Sequence, residues 1–72
     1  MEEFLEFAAA VFECDPSDIS GDTAYGEFEK WDSLTMLRLV MEVEDEYNVV
    51  IPMEETYSIK TLSDIYSRYI EA

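Results

Sequence analysis

Seventy-two residues are enough for one domain with one core and too few for two. Apolar residues make up 49% of the chain, too many for a disordered segment, and two glycines with two prolines supply too little turn chemistry for a β-sandwich. Eighteen acids against four bases give a net charge of −14, which argues against nucleic acid and anionic membranes as partners and favours basic protein surfaces.

Taken in order, the first element runs from Glu2 to Glu13. Phe4, Leu5, Ala8, Val11 and Phe12 recur at helical spacing, and Glu2, Glu3 and Glu6 suit the positive end of a helix. Asp15-Pro16 ends it. The lone Cys14 has no partner for an internal disulfide, so a reducing compartment is expected. A long first loop follows, "DPSDISGDTAYGEFEKW", and Ile19, Tyr25, Phe28 and Trp31 are expected to pin it to the core. The second helix starts at Asp32 or Ser33, both good caps, and reaches about Asn48. Val49–Ile51 has β-propensity but is too short for a persuasive strand. Pro52 opens a short helical turn over Met53–Tyr57. Thr61 caps the last helix in a weak variant of the capping box with Asp64, and Leu62, Ile65, Tyr66, Tyr69 and Ile70 form its stripe. The expected fold is all-α, a four-helix bundle with three main helices and a short third one, as a single domain over residues 1–72. No leader and no apolar run near 18 residues appears, so no membrane span and a cytoplasmic location are expected.

The second helix is apolar on two sides. At about 100° per residue, Met36, Leu39, Val40, Val43 and Tyr47 share one arc, the core face. Leu34, Leu37 and Met41 form a second stripe, about a third of a turn or more away. Thr35, Arg38, Glu42, Asp45 and Glu46 fill the polar remainder. Either the first and last helices wrap the second more widely than usual and cover both stripes, or the second stripe is a docking surface bordered by acids.

Ser33 heads that stripe. It is not an ordinary catalytic nucleophile, because the chain has no histidine to serve as its base, and Lys30 in so acidic a chain holds its proton tightly. It is either a plain N-cap or a place for a phosphate, since free N–H groups and the dipole's positive end both favour an anion there.

"DSL" at the start of the second helix and the following "LVMEVEDEYNVVIP" resemble the acyl carrier and peptidyl carrier protein superfamily. The likeness covers nearly the whole chain, including "IP" before the third helix and "IKTL" before the fourth. It implies a single carrier domain that is not an enzyme, with no catalytic residues and no metal site. It further implies covalent 4′-phosphopantetheine on Ser33, flanked by Asp32 and Leu34 and taken from coenzyme A by a phosphopantetheinyl transferase. The arm's thiol would hold acyl or aminoacyl groups as thioesters. Leu34, Leu37 and Met41, with the acids Glu44 and Asp45, match the family's docking positions for loading and transferring enzymes with basic patches. A monomer is expected. Trp31, Thr35 and Arg38 depart from the fatty acid members of the family, so fatty acyl, polyketide, aminoacyl and D-alanyl cargoes all stay open.

Two other readings compete. The loop from Asp18 has Ser20 and Asp22 at the third and fifth positions and Glu29 at the twelfth of a calcium loop, but Thr23 stands where that loop needs glycine. An acidic decoy that mimics nucleic acid would explain the charge but not the stripe below Ser33.

Overall fold

The computed structural model describes residues 1–71. Helix α1 is Glu2–Phe12. It stops one residue short of the expected end because Glu13 turns into the left-handed region at φ 59°, sending its N–H back to the Ala10 and Ala9 carbonyls. Lys30 Nζ donates to the Glu13 carbonyl at 3.1 Å, placing a cation on the negative end of α1. A 3₁₀ turn, Pro16–Asp18, begins the long loop.

Helix α2 is Ser33–Tyr47, ended by left-handed Asn48 at φ 55°. A 3₁₀ helix, Met53–Ser58, follows with Pro52 as its cap rather than its first residue. Helix α3 is Leu62–Ile65, closed by a full capping box: Thr61 Oγ1 accepts the Asp64 N–H at 3.3 Å and Asp64 Oδ2 accepts the Thr61 N–H at 3.2 Å. The last helix does not continue as a plain α-helix. Tyr66–Ile70 is π-wound, and the Glu71 N–H reaches back five residues to the Tyr66 carbonyl at 2.8 Å. The expected stripe is therefore buried at Leu62 and Ile65 and half-buried at Tyr66, Tyr69 and Ile70. Val49–Ile51 forms no strand; the pairing present among the described residues is one isolated antiparallel bridge, Ala24 with Thr61.

The core draws on all three α-helices. Phe4, Ala8, Val11 and Phe12 come from α1, Met36, Leu39, Val40 and Val43 from α2, and Leu62 and Ile65 from α3. The connections add Ile19, Trp31, Ile51 and Ile59. Of the four expected pins, Ile19 and Trp31 are buried and Phe28 half-buried, its ring 5.4 Å from that of Phe12. Tyr25 remains at the surface, edge-on to Trp31 at 5.8 Å. The Trp31 indole N–H has no hydrogen-bond partner among the described residues, a cost set against the burial of its ring.

Backbone hydrogen bonds also clasp the loop to the start of α3. The Tyr25 N–H reaches the Lys60 carbonyl at 2.8 Å, the Leu62 N–H the Thr23 carbonyl at 3.2 Å, and the Ser63 N–H the Gly21 carbonyl at 2.9 Å. Gly21 suits this close approach, since a Cβ there would lie 2.5 Å from Ser63 Oγ and the hydroxyl would have to move. The clasp fixes the segment that carries Tyr25 toward the head of α2.

Candidate functional site

The head of α2 divides its two tasks between neighbours. Asp32 is the cap: its backbone is extended and its carboxylate accepts the Thr35 N–H at 2.9 Å. That N–H holds the Asp32 pKa below the ordinary aspartate value. Ser33 is the first helical residue, exposed, and its hydroxyl takes no part in the cap. No acid lies within the first turn of α2 itself, so Asp32 at the cap is the acid next to the positive end of the helix.

A cleft of about 350 Å³ opens at Ser33, between α2 and the 3₁₀ helix. Met36 and Leu37 form one wall and Met53, Thr56 and Ile59 the other, with Tyr25 and Tyr57 at the edges. Sequence reasoning missed this cleft. "IPMEETY" signalled the 3₁₀ helix, but only the clasp brings Tyr25 across to it.

The two arcs of α2 separate sharply. Leu39 and Val43 are 0% exposed, whereas Leu34 is 76%, Leu37 46% and Met41 68% exposed. These three side chains share one open surface with Arg38, Glu42, Glu44 and Asp45. Glu44 is half-buried, and its Oε2 accepts the Ile51 N–H at 2.8 Å, so this acid also braces the chain leaving α2. Arg38, read as part of the polar remainder, lies beside the apolar stripe, with its Nη1 3.3 Å from Glu13 Oε2.

The loop considered for calcium uses its oxygens locally. Asp18 accepts the Asp15 N–H at 3.3 Å, Ser20 Oγ the Asp22 N–H at 3.1 Å and Thr23 Oγ1 the Ser20 N–H at 2.8 Å. Among the described residues no three acids or cysteines gather into a metal-binding group.

A phosphodiester on a serine requires an unobstructed hydroxyl, room for the arm and compensation for its charge. Ser33 offers the first by exposure, the cleft the second and the N-terminus of α2 the third. The residues present therefore fit a phosphopantetheine arm. A small acidic bundle with such a serine above an apolar helix face has the architecture of a carrier domain.

The family model described as "Phosphopantetheine attachment site" matches residues 2–68. The chain is 37% identical over 70 residues to the acyl carrier protein of Rickettsia massiliae, covering 97% of this chain and 80% of the relative. It is 38% identical over 64 residues to that of Rickettsia canadensis, covering 89% and 74%, and 36% identical over 70 residues to that of Rickettsia typhi, covering 97% and 80%. The chain belongs to the acyl carrier protein superfamily of phosphopantetheine-attachment domains. It is a carrier rather than an enzyme, and its prosthetic group is covalent 4′-phosphopantetheine. No helix among the described residues is long and apolar enough to cross a membrane.

Proposed function

We propose that Ser33 is the attachment residue and that the arm it bears carries acyl groups. The observation that carries this reading is an exposed serine, free of the cap beside it, at the head of α2 and opening on the cleft. The relatives named as acyl carrier proteins support an acyl cargo. When bound, the arm supplies a thiol that holds cargo as a thioester.

The chain's own residues do the rest. Asp32 fixes the first turn of α2 and so sets the direction of the Ser33 Oγ. That oxygen forms a new bond to the pantetheine-side phosphorus of coenzyme A as the P–O bond of the diphosphate breaks and adenosine 3′,5′-bisphosphate leaves. Its proton leaves to a base on the transferase, because this chain has no histidine to take it. The first-turn N–H groups that Asp32 leaves free would offer hydrogen bonds to the phosphodiester. Met36, Leu37, Met53 and Ile59 offer apolar contact along the cleft.

Leu34, Leu37 and Met41 form the docking stripe for the transferase and for enzymes that load and unload cargo. Asp45 and the free oxygen of Glu44 face basic patches on those partners. The chain works as a monomer in the cytoplasm.

Incubation with coenzyme A, magnesium and a broad-specificity phosphopantetheinyl transferase is expected to add one phosphopantetheine mass. Ser33→Ala is expected to remain unmodified while keeping its helical circular dichroism. Addition of the arm to folded Ser33→Ala would move the site to another hydroxyl.

A further inference from the structure

Arg38 stands among the docking residues, four positions after Leu34 and three before Met41, on the surface that also holds Glu42 and Asp45. A helix offers an arginine there an obvious partner in Glu42, four residues on. The guanidinium instead leans the other way, to Glu13 beyond the end of α1, at 3.3 Å. Lys30 joins it at the same residue through the Glu13 carbonyl. Two of the chain's four cations thus gather at Glu13, and along the docking face Arg38 precedes the acids Glu42, Glu44 and Asp45.

The Glu13 contact does not exhaust Arg38. Its side chain is 52% exposed and that of Glu13 77%, so the pair is solvent-screened and contributes little to stability. Only one of five guanidinium N–H groups is engaged with Glu13, and the fork left over matches a carboxylate. Arg38 and Asp45 are seven residues apart, about 10 Å along the helix, which is close to the screening length at 0.1 M salt. A partner therefore meets them as separate charges of opposite sign.

We propose that Arg38 reads charge on the docking face: it selects partner enzymes whose basic patch is interrupted by a carboxylate opposite Arg38, and it weakens docking by uniformly basic ones. This rests on the docking role proposed for Leu34, Leu37 and Met41. The partner surface has three parts: an apolar centre over the stripe, cations over Glu42 and Asp45, and an Asp or Glu at the end nearer the attachment serine.

The test measures kcat/KM for modification by a broad-specificity transferase with an uninterrupted basic docking patch. The substrates are the unaltered carrier and its Arg38→Gln, Arg38→Glu, Glu13→Gln and Leu37→Glu variants, each checked for an unchanged melting temperature. Each docking arginine or lysine of the transferase is also reversed, one at a time, to glutamate. Arg38→Glu is expected to raise kcat/KM on the unaltered transferase about two- to fivefold at low salt, the scale of one exposed charge pair, with Arg38→Gln between the two. The gain is expected to fade as salt is added. One reversed transferase should favour the unaltered carrier and disfavour Arg38→Glu. Glu13→Gln should leave the whole pattern in place, which separates docking from the Glu13 contact. If Arg38→Glu matches the unaltered carrier against every transferase while Leu37→Glu slows modification, the docking face stands and selection by Arg38 is overturned. If Leu37→Glu is also without effect, the docking reading fails and this inference fails with it.

Discussion

The Asp32 carboxylate accepts the Thr35 N–H at 2.9 Å and so leaves Ser33, the next residue, without a capping role. Support of the helix and presentation of the hydroxyl fall to different side chains. Asp32→Ala is expected to lower the melting temperature, because an N–H at the head of α2 loses its acceptor. Ser33→Ala is expected to leave it in place. Thermal unfolding followed by circular dichroism checks the order, and a larger loss in Ser33→Ala would return the cap to the serine.

The two stripes of α2 make opposite claims on stability. Leu39 is fully enclosed, and Leu39→Ala is expected to cost about 2–5 kcal/mol through lost burial and the cavity left behind. Leu34→Ala and Met41→Ala remove side chains that already face water, and each should change stability by less than about 0.5 kcal/mol. Urea unfolding of the three variants measures this. A loss at Met41 comparable with that at Leu39 would make the second stripe core.

Periodicity made the bundle legible, because Phe4, Ala8, Val11 and Phe12, or Leu39 and Val43, mark a face by spacing alone. Spacing gives the angle of Leu37 and Met41 but not what lies opposite. Their exposure depends on where α1 and the 3₁₀ helix come to rest, and on the clasp from Gly21, Thr23 and Tyr25 to the start of α3. The brace from Glu44 to the Ile51 N–H was hidden for a similar reason: it exists only because Asn48 turns left-handed and folds the chain back. The π winding of Tyr66–Ile70 left no mark in a stripe that fits an α-helix equally well. The proposed attachment motif stands in the sequence as "DSL", although spacing could not tell which of Asp32 and Ser33 would cap.

The clasp between the loop and α3 leaves a side chain at Gly21 no room unless Ser63 Oγ moves. A Cβ there would sit 2.5 Å from Ser63 Oγ, whereas the Ser63 Cβ is 3.8 Å away. Gly21→Ala forces the serine hydroxyl out of its rotamer, and a cost of about 0.5–1.5 kcal/mol is expected. Ser63→Ala removes the obstructing atom, so the same Gly21→Ala change in that background should be close to neutral. A double-mutant cycle by urea unfolding reads the coupling. Equal losses in both backgrounds would place the strain in the backbone instead.

Acid should weaken the fold through its caps. The Lys60 N–H, donated at 2.9 Å, is the main cause holding the Asp64 pKa below its ordinary value, and the Thr61 N–H adds to it. The Ser17 N–H acts likewise on Asp15 and the Thr35 N–H on Asp32. A carboxylate whose folded pKa is depressed takes up its proton first in the unfolded chain. Its contribution is therefore complete above the unfolded value, about 3.9, and is lost as pH falls through the lower folded one. General relief of repulsion on acidification would obscure this in the unaltered protein, since 18 acids are present. Comparison with Asp64→Asn largely removes that background, because the variant keeps an acceptor of the same shape and differs by one charge. The unaltered protein is expected to melt higher than Asp64→Asn by a constant margin from neutral pH down to about pH 5, well above the ordinary aspartate value. Below about pH 4 the margin should shrink as the carboxyl group becomes neutral in both states. Thermal melts of both proteins between neutrality and strong acid give the curve, and a margin that stays constant or widens into acid would show that the Asp64 charge contributes nothing to the cap.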